Sequence, residues 1–197
     1  SFENRNAVYF EIQLLKKIRP LNFCLHQWFS PFGFDSKEVK KLMFSSSGKK
    51  ILTSSHRLIR DHNRLLLTPL VNNNNTEIPV NLENGLIKYP LLIKWELHGP
   101  NVKEKWGFNE AFLDKDTLKE PISLRKYKKG DYFYPTGMKG KKLLSKFFRD
   151  EKYSIIEKEQ QWLFCSQDQI VWIVGKRCDR RFIASSKTIN KLLMRVL

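Results

Sequence analysis

The chain has 197 residues, enough for one ordinary domain or for two small ones that each bury a modest core. Hydrophobic residues make up 41% and aromatic residues 13%, which excludes a disordered tail. The formal net charge is +16, and residues 121–197 alone contain 18 basic and 7 acidic residues. Such an excess must lie on the surface and repel itself until an anionic partner neutralises it. Nucleic acid is the commonest partner of this kind; an anionic membrane surface and a basic surface without a partner are the alternatives.

The cysteines and histidines do not have metal-site spacing. Cys24, Cys165 and Cys178 lie far apart, and none of the four histidines stands at ligand spacing from a cysteine. We therefore expect no metal site and no cofactor in this chain, and we interpret the cysteines as idle thiols in a reducing cytoplasm. No 18-residue apolar run and no signal peptide occurs, so we expect no membrane partner. The absence of an initiator methionine suggests a fragment of a longer protein.

The first 45 residues have helical spacing. Ala7, Phe10, Leu14 and Ile18 recur on one helical face up to Pro20, which predicts a first helix.

Two shorter helices are predicted to follow. One covers residues 21–29, and the next begins at Asp35, where Glu38 three residues later would complete a capping box. The residues of this third helix that we expect to be buried are Val39, Leu42 and Met43.

After the first 45 residues, patterns typical of short strands replace the helical spacing of apolar residues. Short strands are predicted at residues 51–53, 57–60 and 65–68, and the last two form a hairpin. The polar run Asn72–Asn75 separates them from a half-buried strand at 91–97 and a central strand at 170–174. The predicted fold class is α+β: a small helical domain with a short hairpin over residues 1–71, followed by a mixed α/β C-terminal domain over residues 72–197.

The most informative segment is a basic helix with a glycine-rich loop before it. If residues 142–150 are helical, Lys142, Lys146 and Arg149 share one face. The residues on the opposite face, which would pack against the core, are Leu143, Leu144, Phe147 and Phe148. One face packs while the other presents three cations in a row.

Two glycines bracket Met138 and Lys139 in the preceding loop. Glycine lets the backbone approach a ligand closely, and Lys141 would add charge there. The pattern indicates a clamp for the phosphate backbone of a nucleic acid. The alternative is an ordinary glycine-rich turn before a helix whose basic face is solvated.

Two further basic clusters lie at residues 176–181, directly after the central strand, and at residues 125–129. Arginines held at a strand end can meet phosphates with good geometry, although some could instead pair with Asp131, Asp150 or Asp179. The candidate nucleic-acid contacts are Arg125, Lys139, Lys141, Lys142, Lys146, Arg149, Lys176, Arg177, Arg180 and Arg181.

Catalytic and nucleotide-binding motifs do not stand out. The segment ending at Gly140-Lys141 lacks the first glycine and the Ser or Thr of a Walker A loop, and a lone G-x-x-G at 137–140 is a weak match to a KH loop. We identify no catalytic residue.

Several segments together resemble the tRNA(Ile)-lysidine synthetase family. The run Pro135-Thr136-Gly137-Met138-Lys139-Gly140-Lys141-Lys142-Leu143, with Gly130-Asp131 before it and residues 170–177 after it, is similar to the C-terminal domain of that family. Residues 15–23, 31–34 and 47–49 resemble its middle, substrate-recognition domain. Where the family often continues the basic helix with an Ile-Pro step, this chain has Tyr153-Ser154.

The resemblance implies an enzyme that uses ATP to adenylate the wobble cytidine (C34) of a minor isoleucine tRNA, after which the amine of lysine displaces AMP. ATP and Mg²⁺ would bind an N-terminal domain with an S-G-G-x-D-S loop, and that loop does not occur here. This chain is thus expected to be non-catalytic by itself and to hold tRNA in the cytoplasm. The family implies that the acceptor stem meets Arg125, Lys139, Lys141, Lys142, Lys146, Arg177 and Arg181. The alternative is an RNA-binding accessory module of another tRNA-processing or aminoacylating protein.

Overall fold

The computed structural model describes residues 7–70, 77–83, 85–102, 107 and 109–197. The chain divides into two compact units, Ser1–Asn73 and Asn74–Leu197. The run Asn72–Asn75, which we predicted to separate the domains, lies outside the described residues, so the domain limits drawn from the sequence stay a prediction.

The first unit combines an antiparallel sheet of four strands with short helices. In space the strands follow the order β1-β4-β3-β2. The strands are β1 (Val8–Glu11), β2 (Lys50–Leu52), β3 (His56–Asp61) and β4 (Arg64–Pro69), and the helices are α1 (Ile12–Leu15), α2 (Leu21–Phe29) and α3 (Ser36–Met43). The predicted strands, hairpin and second and third helices are confirmed.

The predicted first helix is wrong over its first half. Residues Val8–Glu11 form strand β1, which pairs with β4 so that Val8 lies opposite Leu67. Val8, Tyr9 and Phe10 are β-branched or aromatic, and such residues favour the pleated surface of a strand. Apolar residues spaced three and four apart suit a helix, but the free edge of β4 offers this segment backbone partners that a short helix would lack.

Helix α3 begins after Asp35 as predicted, although only the Asp35 half of the predicted capping box is seen. The Asp35 carboxylate accepts hydrogen bonds from the backbone N–H groups of Lys37 and Glu38, at 2.8 and 3.3 Å, and so caps the helix. Val39, Leu42 and Met43 are buried, as expected. They join a core that also contains the fully buried Leu25 and Phe29 of α2.

The second unit contains two larger antiparallel sheets and a small hairpin. One sheet has the order β14-β13-β12-β9-β5, another has the order β6-β7-β15-β8, and β10 pairs with β11. The strands are β5 (Ile78–Pro79), β6 (Leu86–Ile87), β7 (Ile93–His98), β8 (Glu110–Asp114), β9 (Ile122–Lys126), β10 (Tyr132–Phe133), β11 (Lys142–Leu143), β12 (Trp162–Ser166), β13 (Gln169–Ile173), β14 (Arg177–Cys178) and β15 (Lys191–Val196), and the helices are α4 (Leu144–Asp150) and α5 (Ile155–Gln160).

The five-stranded sheet is buried on both faces. Val171 and Trp172 of β13 join the core shared with the four-stranded sheet, whereas Ile170 and Ile173 join a second core with Phe148 of α4. A strand covered on both sides reads as a continuous apolar run, which is why residues 170–174 lack alternation. The predicted central strand is confirmed, and β13 lies between β12 and β14.

The basic helix is shorter than the sequence indicates. It begins at Leu144, because Lys142 and Leu143 pair with Phe133 and Tyr132 as strand β11. Leu144, Phe147 and Phe148 are buried as predicted. Leu143 leaves the helix and is half exposed, so its predicted place on the packed face is wrong.

The α+β class is confirmed, although the first unit holds a full four-stranded sheet around its predicted hairpin. In the described part of the chain, no helix has both the length and the apolar character needed to cross a membrane.

Candidate nucleic-acid interface

The glycine-rich loop between β10 and β11 is anchored at its start by a buried carboxylate. Asp179 is 0% exposed and accepts a hydrogen bond of 2.9 Å from the backbone N–H of Tyr134. The backbone N–H of Arg180 in turn donates to the carbonyl of Tyr134 at 2.8 Å. The segment that follows β14 therefore holds the first residue of the loop by main-chain and side-chain bonds.

Arg180 holds the far part of the same loop. Its guanidinium donates to the carbonyl oxygens of Met138 and Lys139, the latter at 3.2 Å. Gly137 lies at φ +82°, a left-handed conformation that favours glycine, and no atom lies within 4 Å of the position of a Cβ there. The loop is thus shaped by its glycine and tied down by an arginine from another element.

Arg181 is fixed by the same carboxylate and lies against an aromatic ring. Its Nε and Nη2 atoms donate to Asp179 at 3.0 and 2.8 Å, and its guanidinium carbon lies 4.3 Å from the centre of the Tyr134 ring. The hydrogen bond to Asp179 raises the pKa of Arg181 above its ordinary value. This arginine is a permanent cation with a fixed orientation.

The tyrosines and lysines of this loop and the two arginines that follow β14 form a surface that we call the basic ridge. It consists of Tyr132, Tyr134, Lys139, Lys141, Arg180 and Arg181. Lys139, Lys141 and Arg180 are exposed. Lys141 Nζ lies 4.9 Å from the centre of the Tyr132 ring, and the two tyrosine rings meet edge to face. No carboxylate of the described residues forms an ion pair with Lys139, Lys141 or Arg180. The ridge combines positive charge with exposed aromatic surface.

Helix α4 carries two of its three predicted cations on the surface. Lys146 and Arg149 are exposed, the Arg149 side chain by 74%. The prediction that Lys142 presents its charge beside them is wrong, because Lys142 Nζ pairs with Asp150 at 2.9 Å and its side chain is only 15% exposed. The hydrogen bond from Lys142 lowers the pKa of Asp150.

Lys176 is exposed at the turn between β13 and β14, and Arg177, the first residue of β14, is exposed beside it. Lys176 Nζ lies 5.7 Å from the centre of the Tyr153 ring, which packs on Phe147 and Phe148 of α4. Lys176 therefore lies close to helix α4. Arg177 pairs through its backbone with Ile173.

Arg125 is not a surface residue, which argues against its prediction as an RNA contact. It is 3% exposed and donates two hydrogen bonds to Asp131, at 2.8 and 2.9 Å. Burial opposes its charge, but the hydrogen bonds to Asp131 raise the pKa of Arg125 overall. Asp131 also accepts from the backbone N–H of Lys128, so the pair fixes the turn before β10. The alternative reading, an arginine paired with Asp131, is the one the structure supports.

Some residues of this surface were missed by sequence reasoning. Tyr132 and Tyr134 are not among the contacts that the sequence predicts, yet their rings form the aromatic part of the basic ridge. The alternation in Tyr132-Phe133-Tyr134 was the available signal, since the buried Phe133 leaves its neighbours on the opposite side. Asp179 was treated only as a possible ion-pair partner, whereas it organises both the loop and Arg181.

The described residues contain no group of three or more histidines, cysteines or carboxylates placed to hold a metal ion. The cysteines at 165 and 178 are buried, and burial raises the pKa of each thiol to about 12. Neither can serve as a thiolate nucleophile near neutral pH.

Two family models match the chain, each over one of its units. The "TilS substrate binding domain" matches residues 3–70, and the "TilS substrate C-terminal domain" matches residues 122–193.

Curated relatives carry one name. The tRNA(Ile)-lysidine synthase of Parabacteroides distasonis is 36% identical over 181 residues, which cover 88% of this chain and 41% of that protein. The tRNA(Ile)-lysidine synthase of Bacteroides thetaiotaomicron is 32% identical over 176 residues, covering 88% and 39%. The chain therefore spans about two fifths of the length of these relatives. A solved structure, "Crystal structure of TILS C-terminal domain", is 20% identical with a TM-score of 0.47, covering 61% of this chain and 88% of that one.

Proposed function

Because this chain belongs to the tRNA(Ile)-lysidine synthase family, we propose that it holds tRNA for that enzyme's reaction. The reaction is the ATP-dependent joining of lysine to the wobble cytidine of a minor isoleucine tRNA. The chain contributes binding and positioning, and the chemical step belongs to another part of the enzyme.

The observation that carries this proposal is the basic ridge. Its loop is fixed at one end by Asp179 and at the other by Arg180, while Lys139 and Lys141 remain exposed without carboxylate partners in the described structure. A merely solvated basic face needs no such anchoring. Preorganised cations lose little conformational freedom when they bind, and this makes each contact with a phosphate more favourable.

The basic ridge is suited to binding a double-stranded RNA stem and an unpaired base at the end of that stem. Duplex RNA has a deep, narrow major groove, so proteins hold it through phosphates, 2′-hydroxyl groups and shape. The lysines of the ridge and of α4 can follow the phosphates, while the exposed ring of Tyr132, with the half-buried Tyr134 beside it, can contact sugars or an unpaired base. Holding the stem in one position would present a distant nucleotide to a separate catalytic site.

ATP and Mg²⁺ would be needed for the proposed reaction, but the described residues do not fit them. These residues offer no clustered carboxylates or histidines for the metal, and the loop at residues 137–141 lacks the Walker A pattern. We therefore derive no step through either group in this chain.

A pair of charge-matched variants of the whole chain tests the proposal. Lys141→Gln with Lys146→Gln removes one cation from the basic ridge and one from α4, and Lys115→Gln with Lys187→Gln removes two from other segments of the same unit. We expect the first pair to weaken binding of an isoleucine tRNA transcript by about 10- to 30-fold near 100 mM salt and to reduce the salt slope by about two. The second pair should change the affinity by less than about threefold.

Equal weakening by both pairs would contradict the proposal, because it would show that only net charge matters. Affinity that does not change between about 50 and 200 mM salt would contradict it too. Fluorescence anisotropy with labelled tRNA measures both quantities.

The choice of tRNA tests the finer part of the proposal. The minor isoleucine tRNA should bind more tightly than elongator methionine tRNA at equal salt. Equal affinities would instead favour an accessory module with no link to lysidine formation.

A further inference from the structure

The first unit contains a pocket that the basic ridge does not explain. It is an open groove of about 370 Å³ between the end of α1, the start of α2 and the end of α3. The residues that line it are Lys16, Arg19, Pro20, Leu21, Asn22, Lys40 and Phe44. This volume falls within the range of small-ligand pockets, roughly 300–1,000 Å³.

The charge of the pocket is wholly positive. Three of its seven lining residues are cations and none is acidic, and no described carboxylate forms an ion pair with Lys16, Arg19 or Lys40. Arg19 is held in place, because its Nη1 donates to the carbonyl oxygens of Lys16 and Ile18, both at 2.8 Å. A fixed guanidinium beside two lysines suits an anion, and phosphate fits it well.

The pocket also has an aromatic wall. Phe44 is 62% exposed, and Lys16 Nζ lies 5.0 Å from the centre of its ring. Pro20 and Leu21 add apolar surface beside it. Helix α2 begins here without a side-chain cap, so the N–H groups of its first turn add further donors.

We propose that this pocket binds one unpaired nucleotide of the RNA, with the base against Phe44 and the phosphate among Lys16, Arg19 and Lys40. The base has to be unpaired, because a base inside a duplex cannot lie flat against a protein ring. This inference rests on the proposed function and adds to it a second contact, made by a different unit and specific for single-stranded RNA.

The test uses the whole chain with two probes, a labelled six-nucleotide unstructured RNA and a labelled RNA duplex. Phe44→Ala and Lys40→Gln should each weaken binding of the six-nucleotide RNA by about 5- to 10-fold, the loss expected for one stacked base or one phosphate contact. Duplex binding should stay within about twofold, because the basic ridge lies in the other unit. Phe23→Ala is the matched control, since Phe23 is 60% exposed in the same unit but does not line the pocket, and Lys50→Gln is the control for charge.

The outcomes of this test distinguish failure of the pocket inference from failure of the proposed function. Unchanged affinity of the pocket variants for the six-nucleotide RNA would overturn the inference while leaving the ridge, which Lys141→Gln tests on the duplex, intact. Competition by free cytidine monophosphate at the same concentration of nucleotide would overturn it in favour of a free-nucleotide site. If neither probe binds the unaltered chain, the proposed function fails and this inference fails with it.

Discussion

Two carboxylates decide the roles of two arginines. Arg125 and Arg181 both sit in basic clusters and look alike in the sequence, but Asp131 holds the first inside the protein and Asp179 holds the second at the surface. The Arg125 side chain is 3% exposed and that of Arg181 is 34% exposed. At the scale of single residues, the partner determines whether a guanidinium stabilises the fold or faces a ligand.

Replacing Asp179 by asparagine should loosen the loop of the basic ridge. The carboxylate accepts hydrogen bonds from the backbone of Tyr134 and Arg181 and from the Arg181 side chain. An amide cannot accept all of them, so we expect the free energy of unfolding to fall by about 2–4 kcal/mol. Urea denaturation measures this change, and Asp168→Asn, at an exposed carboxylate, is the control. A loss as small as that of the control would show that Asp179 does not organise the loop.

Lys126 should make stability depend on alkaline pH. Its Nζ donates to the carbonyl of Gln160 at 2.6 Å and lies 3.9 Å from the centre of the Trp162 ring, and burial lowers its pKa from 10.5 to about 8. Between these two values the unfolded chain binds more protons at this site than the folded chain does. The contribution of Lys126 to stability therefore rises with pH through that window.

Comparison with Lys126→Met isolates the effect, because all other lysines titrate in both proteins. The stability of the unaltered chain relative to the variant should rise by about 1–2 kcal/mol from pH 8 to 10.5, allowing for solvent screening at a partly exposed group. A difference that is constant with pH would show that Lys126 has an ordinary pKa.

At the scale of elements, the hairpin β10–β11 and helix α4 form the part that carries the cations. Pairing of Lys142 and Leu143 with β10 moves the start of the helix to Leu144. The same pairing places Lys142 Nζ 2.9 Å from Asp150 at the other end of α4. Lys142, one of the predicted surface cations, thus forms an ion pair that joins strand β11 to the end of helix α4.

Asp150→Asn should increase the affinity for RNA. The change removes a negative charge from the end of α4 and frees Lys142 for phosphate, so we expect binding about two- to fivefold tighter near 100 mM salt. Glu157→Gln is a poor comparison because Glu157 completes the capping box of α5, whereas Asp168→Asn removes an exposed charge without that cost. Anisotropy titrations compare the two variants, and equal tightening would show that only the net charge of the chain matters.

At the scale of the whole molecule, the surplus of positive charge has two opposite consequences. With 36 basic and 20 acidic residues the folded chain repels itself, yet the same charge attracts a polyanion. Salt weakens both effects, because the Debye length falls from about 30 Å at 0.01 M to about 10 Å at 0.1 M.

Stability and binding should therefore respond to salt in opposite directions. Raising NaCl from about 20 to 300 mM should raise the melting temperature of the free chain by about 2–5 °C, while RNA affinity falls by orders of magnitude. Differential scanning fluorimetry measures the melting temperature, and fluorescence anisotropy on the same samples measures the RNA affinity. A melting temperature that falls with salt would show that ion pairs such as Arg64–Glu11 and Arg195–Glu110 outweigh the repulsion.

The sequence by itself determined the features that depend on neighbouring residues. The cap at Asp35, the hairpin that joins β3 to β4 and the buried run at β13 follow from local spacing and residue type. The family resemblance and the excess of cations could also be read from the sequence, because motifs and composition are properties of the chain itself.

Only the tertiary structure decided which cations reach the surface. Strand β1 forms because β4, more than 50 residues later, offers it an edge, and Lys142 leaves its helix because β10 pairs with it. Arg125 is buried by a turn six residues away, and the pocket at Phe44 is assembled from the ends of three helices. These outcomes depend on pairing between distant segments, whose free energy exceeds the small local preferences that a sequence pattern reports.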